Sequence, residues 1–205
     1  MKMLVACEYS GIVRTAFEKK GWDAWSCDLL PTEIPGKHYQ GDVMDIINED
    51  WDLMIAHPPC THLSVSGARW FTEGEKDIQL RNDALKFVKK LMSVDIKYYC
   101  IENPVSVISS HIRKSDQVIH PYLFGHPERK TTCLWLKNLP KLQTTHNVYN
   151  EMVLLPIKIQ NRLHWLGSGH GKERSKTFQG IADAMAKQWG EYITNLTDRS
   201  NDEQN

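Results

Sequence analysis

The amino-acid sequence predicts an α/β protein with a mostly parallel sheet and helices on both faces. Short apolar runs alternate with segments of helical period through the first half of the chain. Four of those runs end on residues suited to chemistry, Glu8, Asp28, Cys60 and Glu102, and prolines gather near the same ends. Alternation of this kind builds parallel βαβ units whose strand carboxyl ends share one rim. Ligands of open α/β sheets bind at that rim.

Residues 3–7 (MLVAC) form the first expected strand, and Ser10 and Gly11 open a helix in which Val13, Ala16 and Phe17 recur at helical spacing until Gly21 stops it. Residues 22–27 give a second strand, closed by Asp28 and the break at Leu30 and Pro31; a loop through Pro35 and Gly36 follows. Gly41, Asp42 and Val43 open a short helical or turn segment, and residues 52–56 (DLMIA) give the next strand. The period of Ile78, Leu85, Val88 and Leu91, with charges between them, predicts an amphipathic helix over residues 75–92. Residues 97–101 (KYYCI) are a strand ending at Glu102, Asn103 and Pro104, and residues 131–136 (TTCLWL) another. The stretch 141–176 has little period and is expected to be irregular, whereas residues 181–193 close the fold as a helix. The polar tail 197–205 is expected to be disordered. A single domain over residues 1–196 accounts for the chain.

The run LMIAHPPCTHLSVSGAR, residues 53–69, is the centre of this arrangement. Proline lacks the amide donor of a sheet ladder and biases the residue before it toward extended geometry, so Pro58 and Pro59 force a turn. Cys60 is thereby delivered to the mouth of the sheet in a polar loop. A thiolate is intrinsically nucleophilic, and a carboxylic acid beside it, such as Glu102, can protonate a ring the thiolate attacks. The bland reading is an inert cysteine in a turn. His57, Cys60 and His62 also form H-x-x-C-x-H, but the distal partners a zinc site needs are poorly placed, and both histidines read as loop residues.

Glu8, Tyr9, Ser10 and Gly11 form a strand-to-helix turn whose amides suit a ligand carboxylate or phosphate; with one glycine and no G-x-G-x-x-G, an ordinary turn explains them equally well. Asp28 lies about 20 residues on, where nucleotide-binding folds place an acid for ribose hydroxyls. Asp42 is positioned to accept from an adenine amino group. Each aspartate alone also reads as a turn or helix cap.

The charge balance is neutral, with 25 acidic and 25 basic residues, so a polyanion partner requires a local patch. Residues 158–176 supply one: Lys158, Arg162, Lys172, Arg174 and Lys176 stand against a single acid, Glu173, with Trp165 and glycines interleaved. Cations neutralise phosphates and an aromatic face can stack on a base, although a charge run is more often a solvated loop. The five cysteines form no C-x-x-C pair, which favours a reduced intracellular protein, and four of them lie in apolar stretches as expected core residues. No run approaches the ~18 apolar residues of a membrane span, and a cytoplasmic location is expected.

The ordered set ACEYSG, CDLL, GDV, HPPC and IENP resembles the S-adenosylmethionine-dependent DNA cytosine-5 methyltransferases, particularly their short phage-type members. The resemblance implies a Rossmann-like class I methyltransferase fold, with S-adenosyl-L-methionine as cofactor, cytosine-containing DNA as partner and, for a phage-encoded chain, the host-cell cytoplasm as location. It assigns Cys60 as the nucleophile toward C6 of a flipped-out cytosine, Glu102 as the group at N3, and Arg129 as a supporting cation. It places the cofactor at Glu8, Tyr9, Ser10, Gly11, Asp28, Leu29, Asp42, Val43 and Pro58, under a closing segment at Gln179 and Gly180. Tyr9 and Ile12 depart from the glycines usual in that family. The short chain between Glu102 and Arg174 leaves a reduced or absent target-recognition domain, so the basic insert is the minimal recognition element and a protein partner is a possible source of specificity. Other readings of the same residues are methylation of a nucleotide, RNA or modified base, and a non-catalytic nucleic-acid-binding module. An amino-methyltransferase shares the double proline, but Cys60 stands where that class carries an aromatic residue.

Overall fold

Alternate residues of the central strands point to opposite faces of the sheet, and each face has its own helices. The computed structural model describes residues 1–65, 77–167 and 169–202, with side chains through 199. Seven strands, β1 Lys2–Ala6, β2 Asp23–Asp28, β3 His38–Gln40, β4 Leu53–Ala56, β5 Tyr98–Pro104, β6 Gln117–Ile119 and β7 Thr132–Lys137, form one sheet in the order β3-β2-β1-β4-β5-β7-β6. Strands β1 to β5 pair in parallel, and β7 runs antiparallel to both β5 and β6. The arrangement is compatible with a Rossmann-like fold.

Met3 and Val5 of β1, Leu53 and Ile55 of β4, and Tyr98 and Cys100 of β5 pack with α1 (Ile12–Glu18) and α8 (Gln179–Asp202) through Phe17, Met185 and Trp189. Leu4, Ala6, Met54, Ala56, Tyr99 and Ile101 face the other way, onto Leu85, Val88 and Leu91 of α2 (Ile78–Met92). Burying both faces explains why these strands read as continuous apolar runs rather than alternating ones. The fully buried indoles of Trp189 and Trp135 each keep a hydrogen-bond partner: Trp189 donates to the Pro140 carbonyl and Trp135 to that of Arg113, both at 2.8 Å.

Two expectations are corrected. After a single helical turn, α3 (Ile108–His111), the stretch 141–176 is not irregular throughout: it holds α4 (Tyr149–Leu154), α5 (Ile157–Gln160), α6 (Arg162–Trp165) and α7 (Gly171–Ser175). Pieces this short cannot display a hydrophobic period, and Pro156 separates the first two. The tail does not lose structure at residue 197, because α8 continues to Asp202. Leu196 extends the Trp189 and Ile193 stripe onto the core, and the Thr194 and Thr197 hydroxyls donate back to the Gly190 and Ile193 carbonyls. Residues 203–205 and 66–76, which include the end of the loop after Cys60 and the expected start of α2, lie outside the described residues. Among the described residues, no helix is long and apolar enough to cross a membrane.

Gly180 is the tightest packing point in α8. A Cβ built there would sit 1.9 Å from the Phe124 carbonyl oxygen, while the Gly180 amide donates to His126 Nε2 at 2.9 Å. Gly180→Ala is therefore expected to destabilise the protein by about 1–3 kcal/mol, as overpacking against a backbone atom does. Urea unfolding should show this as a lower midpoint at unchanged slope.

Candidate functional site

Parallel pairing of β4 and β5, with Ala56 opposite Ile101, brings the two carboxyl ends side by side. Beyond the sheet the connection is maintained by side chain and backbone. Asn103 Nδ2 donates to the Pro58 carbonyl at 2.8 Å, tying the loop after β5 to the proline pair. The chain then turns over Cys60, whose carbonyl accepts from the Leu63 and Ser64 amides at 3.0 and 2.9 Å. The Val65 amide donates to the Val105 carbonyl and the Val107 amide to that of Leu63, so the two loops zip together. Cys60 and Glu102 are thus held by the same short scaffold.

Glu102 is almost enclosed, and its Oε2 lies 2.9 Å from His57 Nδ1; the two side chains are 11% and 9% exposed. Burial pushes the Glu102 carboxyl up, but the His57 hydrogen bond and the positive charge of Lys130 outweigh it and hold the group below the usual glutamate range. The Cys60 thiol is raised, first by burial and then by the Glu102 charge, with Lys130 and Arg174 pulling in the opposite direction.

Arg129, the expected supporting cation, is exposed, and its backbone amide donates to the Gln160 carbonyl at 2.6 Å. The cation whose field reaches both Cys60 and Glu102 is its neighbour Lys130. Because β7 runs antiparallel to β5, with Thr132 opposite Pro104, its starting end arrives at the rim where β5 finishes. Lys130 Nζ donates to the Arg174 and Lys176 carbonyls at 3.1 and 3.4 Å, which fixes it against the end of α7.

The basic segment is tied across the first turn of the fold. The Tyr9 hydroxyl donates to the Lys172 carbonyl, and Lys176 pairs with Glu33 at 2.8 Å. Arg162 is engaged by Glu128 at 3.1 Å and by Glu173 at 3.6 Å. Lys158, Lys172 and Arg174 are exposed, and Arg174 is the member of the set that acts on Cys60.

Beside Cys60 lies a cavity of about 430 Å³, within the size range of small-molecule sites. Asp28, Leu29, Asp42 and Val43, four of the residues expected at the cofactor, line it, joined by Pro59. Leu80, Ala84 and Phe87 of α2 form an apolar wall. Both aspartates also cap turns, Asp28 accepting from the Leu30 amide and Asp42 from the Met44 amide at 2.9 Å each. Their charge is felt nearby: burial pushes the Cys27 thiol up to about 12, with Asp28 and Asp42 adding to the shift. Cys7, expected in the core, instead lines this cavity with a left-handed backbone, φ 59°, that ends β1.

The first turn is closed by internal contacts. Glu8, Tyr9, Ser10 and Gly11 do not line the cavity. Glu8 is buried, and its carboxylate accepts from the Val13 amide at 2.7 Å, the Arg14 amide at 3.2 Å and the Ser10 hydroxyl at 3.1 Å. The positive end of α1 is therefore already neutralised by an internal acid and does not await a ligand anion. Gly11 adopts φ 75° beside Arg14, which is fully buried and donates to the Ile34 and Pro35 carbonyls. Pro58 is buried under Asn103, and Pro59 replaces it at the cavity wall. Gly180 lies against Phe124 and His126, away from the cavity lining.

Sequence reasoning took His57 for a loop residue, put Arg129 ahead of Lys130 and did not single out Phe87. The signal for His57 was its place at a strand end next to the strand carrying Glu102, usable only once the register was known. Neither a protein-family model nor a curated protein matches this chain.

The charges around Cys60 make a direct test of Lys130. Lys130→Met should move the pH midpoint of Cys60 alkylation by iodoacetamide upward and slow alkylation at neutral pH by about 3–10-fold, the consequence of a shift of up to about one pKa unit. Peptide-level mass spectrometry isolates Cys60 from the other thiols, and Arg129→Met should leave its rate unchanged.

Proposed function

We propose that the protein transfers a methyl group from S-adenosyl-L-methionine to C5 of cytosine in DNA. The observation that carries this reading is the pairing of Cys60 with Glu102 on adjacent strand ends, next to an acidic, ligand-sized cavity that begins at Pro59. The cofactor fits the cavity's chemistry: Asp28 and Asp42 suit hydroxyl and amino donors and a cationic ligand, and Leu80, Ala84 and Phe87 suit a flat apolar face. S-adenosylmethionine would supply an electrophilic methyl group on its sulfonium.

The chain's own residues account for the remaining steps. Cys60 Sγ, as thiolate, adds to C6 of the ring, and the electrons displaced from the C5–C6 bond make C5 nucleophilic. Glu102 stands at N3, where negative charge develops during addition. After C5 is methylated, loss of its proton and departure of the Cys60 thiolate restore the aromatic ring as 5-methylcytosine. Lys130 favours the thiolate and is itself held by α7.

A second reading keeps the chemistry and changes the substrate to a cytosine nucleotide or RNA. It is favoured by the basic segment, where Arg162 and Lys176 are spent on internal ion pairs instead of facing outward.

With tritiated cofactor and a pool of duplex oligonucleotides containing cytosine in varied contexts, methyl transfer is expected in the wild type. Cys60→Ala should reduce it at least about 10³-fold, as loss of a nucleophile does, while cofactor binding measured by calorimetry persists. A duplex carrying 5-fluorocytosine should trap a denaturation-resistant adduct at Cys60. Full activity in Cys60→Ala defeats the covalent mechanism; adducts on RNA or free nucleotide but not on duplex DNA select the second reading.

A further inference from the structure

We propose that His57 and Glu102 act as one proton-holding pair, in which His57 carries the proton that Glu102 passes to N3 of the ring. This inference rests on the reading of Cys60 as the nucleophile toward cytosine. His57 is a positioning residue here, since it works through Glu102 and does not touch the base.

The geometry is that of a built pair. His57 Nδ1 and Glu102 Oε2 are 2.9 Å apart, both side chains are about nine-tenths enclosed, and the His57 backbone amide is fixed to the Ala6 carbonyl at 2.9 Å. The second ring nitrogen, Nε2, is buried and has no hydrogen-bond partner among the described residues.

The chemistry requires a proton at this place. When Sγ bonds to C6, electron density moves toward N3, which must be neutralised. A carboxylate stabilised in its ionised form accepts hydrogen bonds and has no proton to give, so Glu102 needs a source. Lys130 directs its ammonium to the Arg174 and Lys176 carbonyls, whereas His57 is hydrogen-bonded to the carboxylate itself. In the step proposed, the Sγ–C6 bond forms, N3 gains the Glu102 proton, and Glu102 takes the Nδ1 proton of the imidazolium. The imidazolium becomes neutral imidazole and the carboxylate is restored. As the adduct collapses, N3 returns its proton to the pair, so the cycle closes without another proton source.

Among the described residues, the titratable groups that act on the pair or on Cys60 come from several elements. Cys60 approaches from the loop after β4, Lys130 from the lead into β7, and Cys133 from β7 itself; Cys100 lies in β5, and Arg174 reaches Cys60 from α7. Only Cys60 must lose a proton for the reaction, and it sets the acid limb of the rate. The pair must keep one, and it sets the alkaline limb.

His57→Asn separates the proton from the hydrogen bond, because the amide nitrogen of asparagine lies close to the position of Nδ1 and does not titrate. The readout is tritium release from C5-tritiated cytosine in the duplex pool, which follows addition at C6, measured across pH. The wild type should show an alkaline limb. In His57→Asn this limb should move to lower pH by at least one unit, and release at neutral pH should fall by about 10–100-fold, the scale of losing a general acid. His57→Ala should lose at least as much. An unchanged limb in His57→Asn, or a wild-type profile with no alkaline limb, overturns the proposal; the wild-type profile decides it even if the variants fail to fold. Absence of a Cys60 adduct with 5-fluorocytosine in the wild type defeats the methyltransferase reading and the pair with it. An adduct with an unchanged limb defeats the pair alone.

Discussion

Parallel pairing of β4 with β5 is the constraint on which the candidate site depends. Two strands that finish together place the next residues of each chain within reach, and the proline pair ensures that β4 cannot extend past its partner. The Asn103 amide, donated to Pro58, converts that proximity into a fixed geometry. With the loops zipped beyond it, Cys60 and Glu102 belong to one rigid unit although widely separated in sequence. The same pairing brings His57 against Glu102.

Electrostatics then divides the rim into two regions. Around the cavity, burial first and then the charges of Asp28 and Asp42 push the neighbouring Cys7 and Cys27 thiols up. Around Cys60, Lys130 and Arg174 oppose burial and the Glu102 charge. Cys60 thus differs from Cys7 and Cys27 in having cations that oppose the rise, although its thiol too is held above the ordinary cysteine range by burial and Glu102. Glu8 shows the complementary case of an acid consumed by structure: its carboxylate satisfies the helix start that would otherwise attract an anion.

Much of this was legible in the sequence, and the limits are physical. Strands β1, β2, β4, β5 and β7 and helices α1, α2 and α8 carry enough residues for an apolar run or a helical period to show. Strands β3 and β6, three residues each, are too short for any pattern and exist through their neighbours. The direction of β7 leaves no mark on its residues, so the approach of Lys130 was invisible while Arg129 drew attention as the more distinctive cation. Asp28 and Asp42 were found because a strand end fixes where an acid must lie. Glu8 shows the ambiguity of such a position, since an acid at a strand end serves a ligand or the next helix equally well, and here its carboxylate accepts from the Val13 and Arg14 amides.

The docking of α7 reaches beyond local packing. Lys130 is aimed by carbonyl oxygens at its end, Arg174 is part of it, and Tyr9 and Glu33 hold the segment to the opposite side of the rim. Both cations that temper the Cys60 thiol are thus supplied or oriented by a five-residue helix. The titration of this cysteine is consequently a tertiary property: a peptide copied from its loop would lack both the burial and Glu102 charge that raise the thiol and the cations that oppose them, because Glu102, Lys130 and Arg174 all lie outside that loop.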